Sequence, residues 1–266
     1  MPDPTAPTTP APATPTPAAA WRLLASGNAR FVDGTPRHPH ASHWRRQDLT
    51  AGQHPFAAVL SCADSRVSPE LVFDRGLGDL FVVRTAGHVV DDVALGSLEY
   101  GVLHVGTPLL AVLGHEDCGC VAATIAAAES GIRPGGHVGT LVDAVMPGVQ
   151  AARDTGTICL GEIMEEHVRR TMRGLLDRSP ALADAVHDGR VALVGLTYRL
   201  TDGAVRLLDW VGDLTPGTDL EGGGRQDAAR AERRREALAA QEMAANDAVV
   251  AATRDPLTPP LPTQAG

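Results

Sequence analysis

The sequence predicts an α/β fold: a mostly parallel central sheet flanked by helices, with an antiparallel edge strand and an N-terminal helical arm. Three observations carry that expectation. Short apolar runs recur, and two of them break abruptly into chemically active side chains; segments with helical spacing lie between the runs; and a hairpin near the end is marked by the turn signal Thr201-Asp202-Gly203. Strands and helices alternating in this way build a parallel sheet covered on both faces, and a closing hairpin adds the antiparallel edge. With 266 residues, 44% of them hydrophobic and 21% charged, the chain is long enough for one large domain with tails.

Residues 1–17 are almost wholly Pro, Thr and Ala, a composition that cannot bury enough apolar surface to offset the entropy of ordering, and they predict a disordered tail. The domain is expected over 18–214. It opens with an amphipathic helix over 18–31, where Trp21, Leu24 and Phe31 share a face that can pack on its own core or on another subunit. His38, His40 and His43 fall in a Pro-containing stretch that reads as an exposed loop, with a second metal patch as the rarer alternative. Strands are expected at 56–61, 81–84, 109–113 and 191–196, with a short helical turn at 69–73 and helical spacing over 95–105. A long helix should run from Gly119 to Gly131, and the Gly-rich stretch 131–148 reads as loop. Helices follow at 161–178 and, opened by a Ser-Pro pair, at 179–188; residues 198–208 read as the hairpin. Residues 215–266 form a second tail, in which 227–254 has the composition of a solvated Arg- and Ala-rich helix.

A formal charge of −9 argues against a nucleic-acid or anionic-membrane partner, since either is met by clustered Lys and Arg. No apolar stretch reaches the roughly 18 residues that a membrane span requires, and the N-terminus lacks the basic and apolar blocks of a signal peptide. Four cysteines in a chain of this length do not make a disulfide framework and suit a reducing compartment. A soluble, cytoplasmic protein is expected.

The chemistry concentrates at two strand ends. Val59 to Arg66 reads VLSCADSR and Leu109 to Cys118 reads LLAVLGHEDC. Cys62, His115 and Cys118 form a Cys2His set, which suits zinc and leaves a fourth tetrahedral position open, as catalytic zinc sites do. Singly, each is more often an inert buried thiol or a core histidine. Three ligands at equivalent strand ends are another matter, because ligands of open α/β sheets bind beyond the carboxyl ends of the strands. Cys118 would also open a helix, where the macrodipole favours a thiolate.

With these residues in view, the chain resembles the β-class carbonic anhydrases from about Trp21 to Trp210. The match includes Cys62-x-Asp64-x-Arg66, Gly114-His115-x-x-Cys118-Gly119, Phe81-Val82-Val83-Arg84 and Gly96-Ser97-Leu98-Glu99-Tyr100. The resemblance implies that Cys62, His115 and Cys118 bind one Zn2+ per subunit, and that Asp64 and Arg66 form the catalytic dyad that orients zinc-bound water. It also implies a homodimer or higher homo-oligomer with the N-terminal helix on the neighbouring subunit. Gln53, nine residues before Cys62, would donate a hydrogen bond to substrate across the dimer, while Phe81, Ala86 and Tyr100 would line an apolar cleft for CO2. The implied reaction is reversible hydration of CO2 to bicarbonate and a proton. Zinc lowers the pKa of bound water from about 15.7 towards about 7, and two thiolate ligands should leave it somewhat higher.

Several positions depart from the family pattern. His88 stands where Asn is usual, as a structural hydrogen-bonding residue or, less commonly, a proton relay. Cys120 replaces a small residue and reads as a buried hydrophobe, with an alternative thiol ligand as the rarer reading, and Cys159 has no partner by spacing. Members with a separate inhibitory bicarbonate pocket carry Trp where this chain has Val59, although the Arg of that pocket is matched by Arg84; an ungated site is therefore expected. A carbonyl sulfide or carbon disulfide hydrolase would share every ligand. A non-catalytic zinc scaffold would not need Asp64, Arg66 and Gln53.

Overall fold

The strands that occupy the centre of the sheet are buried along their whole length, as their unbroken apolar sequences require. In the computed structural model, which describes residues 14–157 and 159–214, β1 (Ala57–Cys62) and β3 (Leu109–His115) expose no residue. They lie side by side with β2 (Leu80–Thr85) beyond β1 and β4 (Ala192–Tyr198) beyond β3, all parallel. Strand β5 (Val205–Val211) pairs antiparallel with β4, so the order is β2-β1-β3-β4-β5. The expected fold class is therefore realised, and the hairpin turns at Gly203 with φ of 77°.

Alternation along the buried strands divides the core in two. Ala58, Leu60 and Cys62 face one cluster with Leu110 and Val112, while Ala57 and Val59 face the other with Leu109, Ala111 and Leu113. The first side is covered by α4 (Asp92–Glu99), α5 (Gly119–Ser130), α6 (Gly136–Asp154), α7 (Leu160–Arg178) and α8 (Pro180–His187). The second is covered by α1 (Pro17–Val32) and α3 (Pro69–Val72), with α2 (His43–Asp48) between them in sequence.

Helix α1 starts at Pro17, one residue before the expected boundary, because the Thr16 side chain caps it by accepting from the Ala19 amide at 3.2 Å. Of the two placements the sequence allowed, packing on its own core is the one seen in the single chain. Ala20, Trp21 and Leu24 pack into the core of their own sheet. Asn28, on the same face, donates to Val72 O and Gly203 O and accepts from the Val205 amide, tying the helix to α3 and the hairpin.

Two further expectations are corrected. The stretch read as loop over 131–148 is largely α6, because Val142, Val145 and Val149 recur at helical spacing and their burial outweighs the glycines and the internal Pro147. The helical spacing over 95–105 is met by α4 and then by a π-helical turn, Tyr100–His104. His43 opens α2, whereas His38 and His40 sit in left-handed backbone, and His40 pairs with Asp79 at 2.7 Å instead of sharing a metal patch. Among the described residues no helix is long and apolar enough to cross a membrane. The tail over 1–13 and the one over 215–266, with its expected helix, lie outside the described residues.

Candidate metal centre

Adjacency of β1 and β3 brings the two sequence motifs together: Ser61 pairs with Leu113, so Cys62 and His115 leave neighbouring strands at the same edge. Cys118 then caps α5 with extended backbone, and Gly114 lets the strand end lie against α7, where a Cβ would stand 2.6 Å from Val168 and 2.8 Å from Met164 Sδ. One ligand atom from each of Cys62, His115 and Cys118 falls within 4.8 Å of the others, and all three residues are buried.

The donor set fits a tetrahedral thiophilic ion. Sulfur-to-sulfur separation is 4.0 Å, against ~3.8 Å for two ligands at ~2.3 Å from a tetrahedral zinc. His115 Nδ1 donates to the Glu116 carbonyl at 2.7 Å, which leaves Nε2 as a bare lone pair, buried and without a hydrogen-bond partner among the described residues. An orphaned acceptor of this kind is costly unless it meets a cation. The sulfurs share a hydrogen bond that holds the Cys62 thiol well below its usual range and pushes Cys118 up; burial opposes the fall at Cys62, while His115 and the amides of Asp64 and Gly87 add to it. Those amides lie 3.4 and 3.3 Å from Cys62 Sγ.

Asp64 stands beside this cluster, its Oδ2 4.0 Å from His115 Nε2. Arg66 grips both carboxylate oxygens, Nε to Oδ1 at 2.9 Å and Nη2 to Oδ2 at 2.7 Å, and its amide adds a third bond to Oδ1. This hydrogen bonding keeps the Asp64 carboxyl far below the ordinary carboxylate range despite partial burial. Arg66 is itself steadied by the Asp117 carbonyl at 3.1 Å.

Arg84 has a role that its sequence position did not reveal. Its Nε donates to Cys62 O at 2.9 Å and its Nη2 to Asp64 O at 2.7 Å, clamping the backbone that carries both residues. Val59, at the position matched to Trp in gated relatives, is fully buried in the sheet.

The apolar residues are close to one another but not enclosed. Phe81 and Tyr100 have ring centroids 6.2 Å apart, Tyr100 is half exposed, and Ala86 follows β2 directly. Gln53 is exposed in the loop before β1. His88 is wholly buried and pressed against His167, ring centroids 4.4 Å apart. Neither of its nitrogens has a partner among the described residues, so the expected structural hydrogen bond is absent. Burial, then the neighbouring His167 and His115, keeps it neutral. Cys120 is half-buried and outside the ligand group, and Cys159 is exposed before α7. His167 escaped notice in the sequence; its only mark is a polar residue among Ile163, Met164 and Val168 on the buried face of α7.

A carbonic anhydrase family model matches residues 57–205. Carbonic anhydrase 2 of Mycobacterium tuberculosis is 48% identical over 196 residues, which is 74% of this chain and 95% of its own. The carbonic anhydrase of Mycolicibacterium smegmatis is similar to the same extent, 48% over 196 residues and the same shares of each chain. Among solved structures, a tetrameric β-carbonic anhydrase from Sordaria macrospora covers 73% of this chain and 99% of its own, with a TM-score of 0.57 at 21% identity, a likeness of fold. Matching motifs, fold and close relatives lead to one conclusion: the chain belongs to the β-carbonic anhydrase family and is a carbonic anhydrase.

Proposed function

We propose that this enzyme carries out the reversible hydration of CO2 with one zinc ion per subunit held by Cys62, His115 and Cys118, and with Asp64 and Arg66 as its catalytic dyad. The observation that carries this reading is a bare, buried imidazole nitrogen converging with two sulfurs beside a carboxylate that Arg66 holds through both oxygens. Zinc bound there supplies the Lewis acidity that ionises water near neutral pH.

The chain's own residues do the rest. Asp64 is ionised and therefore accepts only; its Oδ2, on the cluster side, takes a hydrogen bond from the reacting water and aims the water's lone pair at carbon. Arg66 keeps that carboxylate from swinging onto the metal position, because leaving it would break two charge-assisted bonds. Phe81, Ala86 and Tyr100 offer an apolar wall suited to a nonpolar substrate. Gln53 is exposed before β1, and its amide serves the site of a second copy. That reading makes the working enzyme a homodimer or a higher homo-oligomer, and the half-exposed Tyr100 marks the face to be covered.

One preparation tests the reading: zinc stoichiometry, then CO2 hydration compared with hydrolysis of carbonyl sulfide and carbon disulfide. One zinc per chain and hydration far exceeding either hydrolysis are expected. A metal-free active enzyme, or dominant hydrolysis of the sulfur substrates, would overturn it.

A further inference from the structure

The turn after β2 is held in an unusual shape. Gly87 and His88 both have positive φ, 64° and 44°, a sequence of two left-handed residues in which only the glycine is at ease. A Cβ on Gly87 would stand 2.9 Å from Cys120 Sγ, so the turn is also pressed from below. This shape sends the Gly87 amide to Cys62 Sγ at 3.3 Å. Something must hold it, since a strained turn persists only when its surroundings over-determine it.

Two contacts do so. Thr85 Oγ1 donates to Val89 O at 2.7 Å and closes the turn across its base. From α7, eighty residues away in sequence, His167 Nε2 meets the Gly87 carbonyl at 3.0 Å. A carbonyl can only accept, so Nε2 carries the proton. His167 is 5% exposed, and its ring is wedged between His88 and the bare face of Gly148, where a Cβ would come within 3.3 Å of it.

We propose that His167 is a positioning residue of the metal centre: by holding the Gly87 carbonyl it fixes the turn that delivers the Gly87 amide to the Cys62 sulfur. Hydrogen bonds to a ligand sulfur orient it and moderate the charge it gives the metal, and partners at one remove commonly change metal affinity by roughly 10- to 100-fold when lost. The inference rests on Cys62, His115 and Cys118 holding the metal. A protein that takes up no metal refutes that reading; a protein that takes up metal but is indifferent to His167 refutes only this one.

The test uses the metal-loaded full chain and two variants. His167→Met removes the donor at similar volume, and His167→Gln keeps an N–H donor. In the cobalt-substituted proteins, the sulfur-to-cobalt charge-transfer absorption should shift in His167→Met and return towards the native position in His167→Gln. Zinc loss to a chelator should be about ten-fold or more faster in the first than in the native enzyme, and substantially slowed again in the second. Native absorption and native zinc loss in a folded His167→Met would overturn the proposal, leaving His167 a packing residue. If that variant does not fold, loading with cadmium-113 decides. Scalar coupling between the metal and the Gly87 amide proton that is near native in His167→Gln and weakened in His167→Leu supports the proposal, and coupling absent in the native protein, or unchanged in His167→Leu, overturns it.

Discussion

Asn28 is the residue on which the seating of α1 depends, and replacing it gives a measurable separation between fold and site. It makes three buried hydrogen bonds: to Val72 O at 3.1 Å, to Gly203 O at 2.8 Å and from the Val205 amide at 2.8 Å. Each such bond is worth ~1 kcal/mol net, so Asn28→Ala should cost about 3 kcal/mol, with two carbonyls and an amide left to find water in a space that is 6% exposed. With an m value of about 3 kcal/mol per M, the urea midpoint should fall by about 1 M. Zinc content should not change, because α1 covers the face of the sheet opposite the one to which Cys62 and Cys118 belong. Equilibrium unfolding by circular dichroism and metal analysis on the same samples make the measurement. A midpoint shift below about 0.3 M would show that α1 is not anchored where the chain places it, and parallel loss of zinc would show that the two faces are not independent.

Cys62→Ser should lose both zinc and activity; a full zinc equivalent retained in that variant would move the site, with Cys120 the first suspect. Arg66→Ala should keep zinc yet lower CO2 hydration by roughly 100-fold or more, since it frees Asp64 without touching a ligand; stopped-flow rates near native would refute the guarding role. In the native enzyme the rate should rise with pH as a single ionisation, and a steep profile requiring two or more protons would place the chain with gated relatives despite Val59. Asp74 predicts acid sensitivity: burial acts to raise its pKa, but Arg30 and the amides of Arg37 and His38 more than reverse this and leave it lowered. A lowered folded pKa means stability that is present above the unfolded value near 3.9 and lost as pH falls through the folded one. Asp74→Asn should therefore be less stable at neutral pH by about 2 kcal/mol and show a flatter acid limb in thermal melts taken from pH 6 to 3; an unchanged acid limb would refute the assignment.

What could be read from the sequence, and what could not, divides along a physical line. Cys62, His115 and Cys118 were legible because their side chains bear the chemistry and sit where apolar runs stop; strand adjacency then does the assembling. The apolar face of α1 was legible too, but a face does not state which surface it meets, and Asn28 bonds to backbone groups that any sequence would provide. α6 was hidden because its glycines lower local helical preference, while the burial that rescues it comes from elements remote in sequence. The inner supports of the site were hidden for a third reason. Arg84 holds the carbonyls of Cys62 and Asp64, His167 holds the carbonyl of Gly87, and the amides of Gly87 and Asp64 reach the Cys62 sulfur. All of these act through main-chain atoms, which are chemically the same at almost every position, so they leave no pattern in the residue types. Substitutions at unread positions such as His167 and Gly148 would therefore bear on where the Gly87 amide points while leaving Cys62, His115 and Cys118 unchanged.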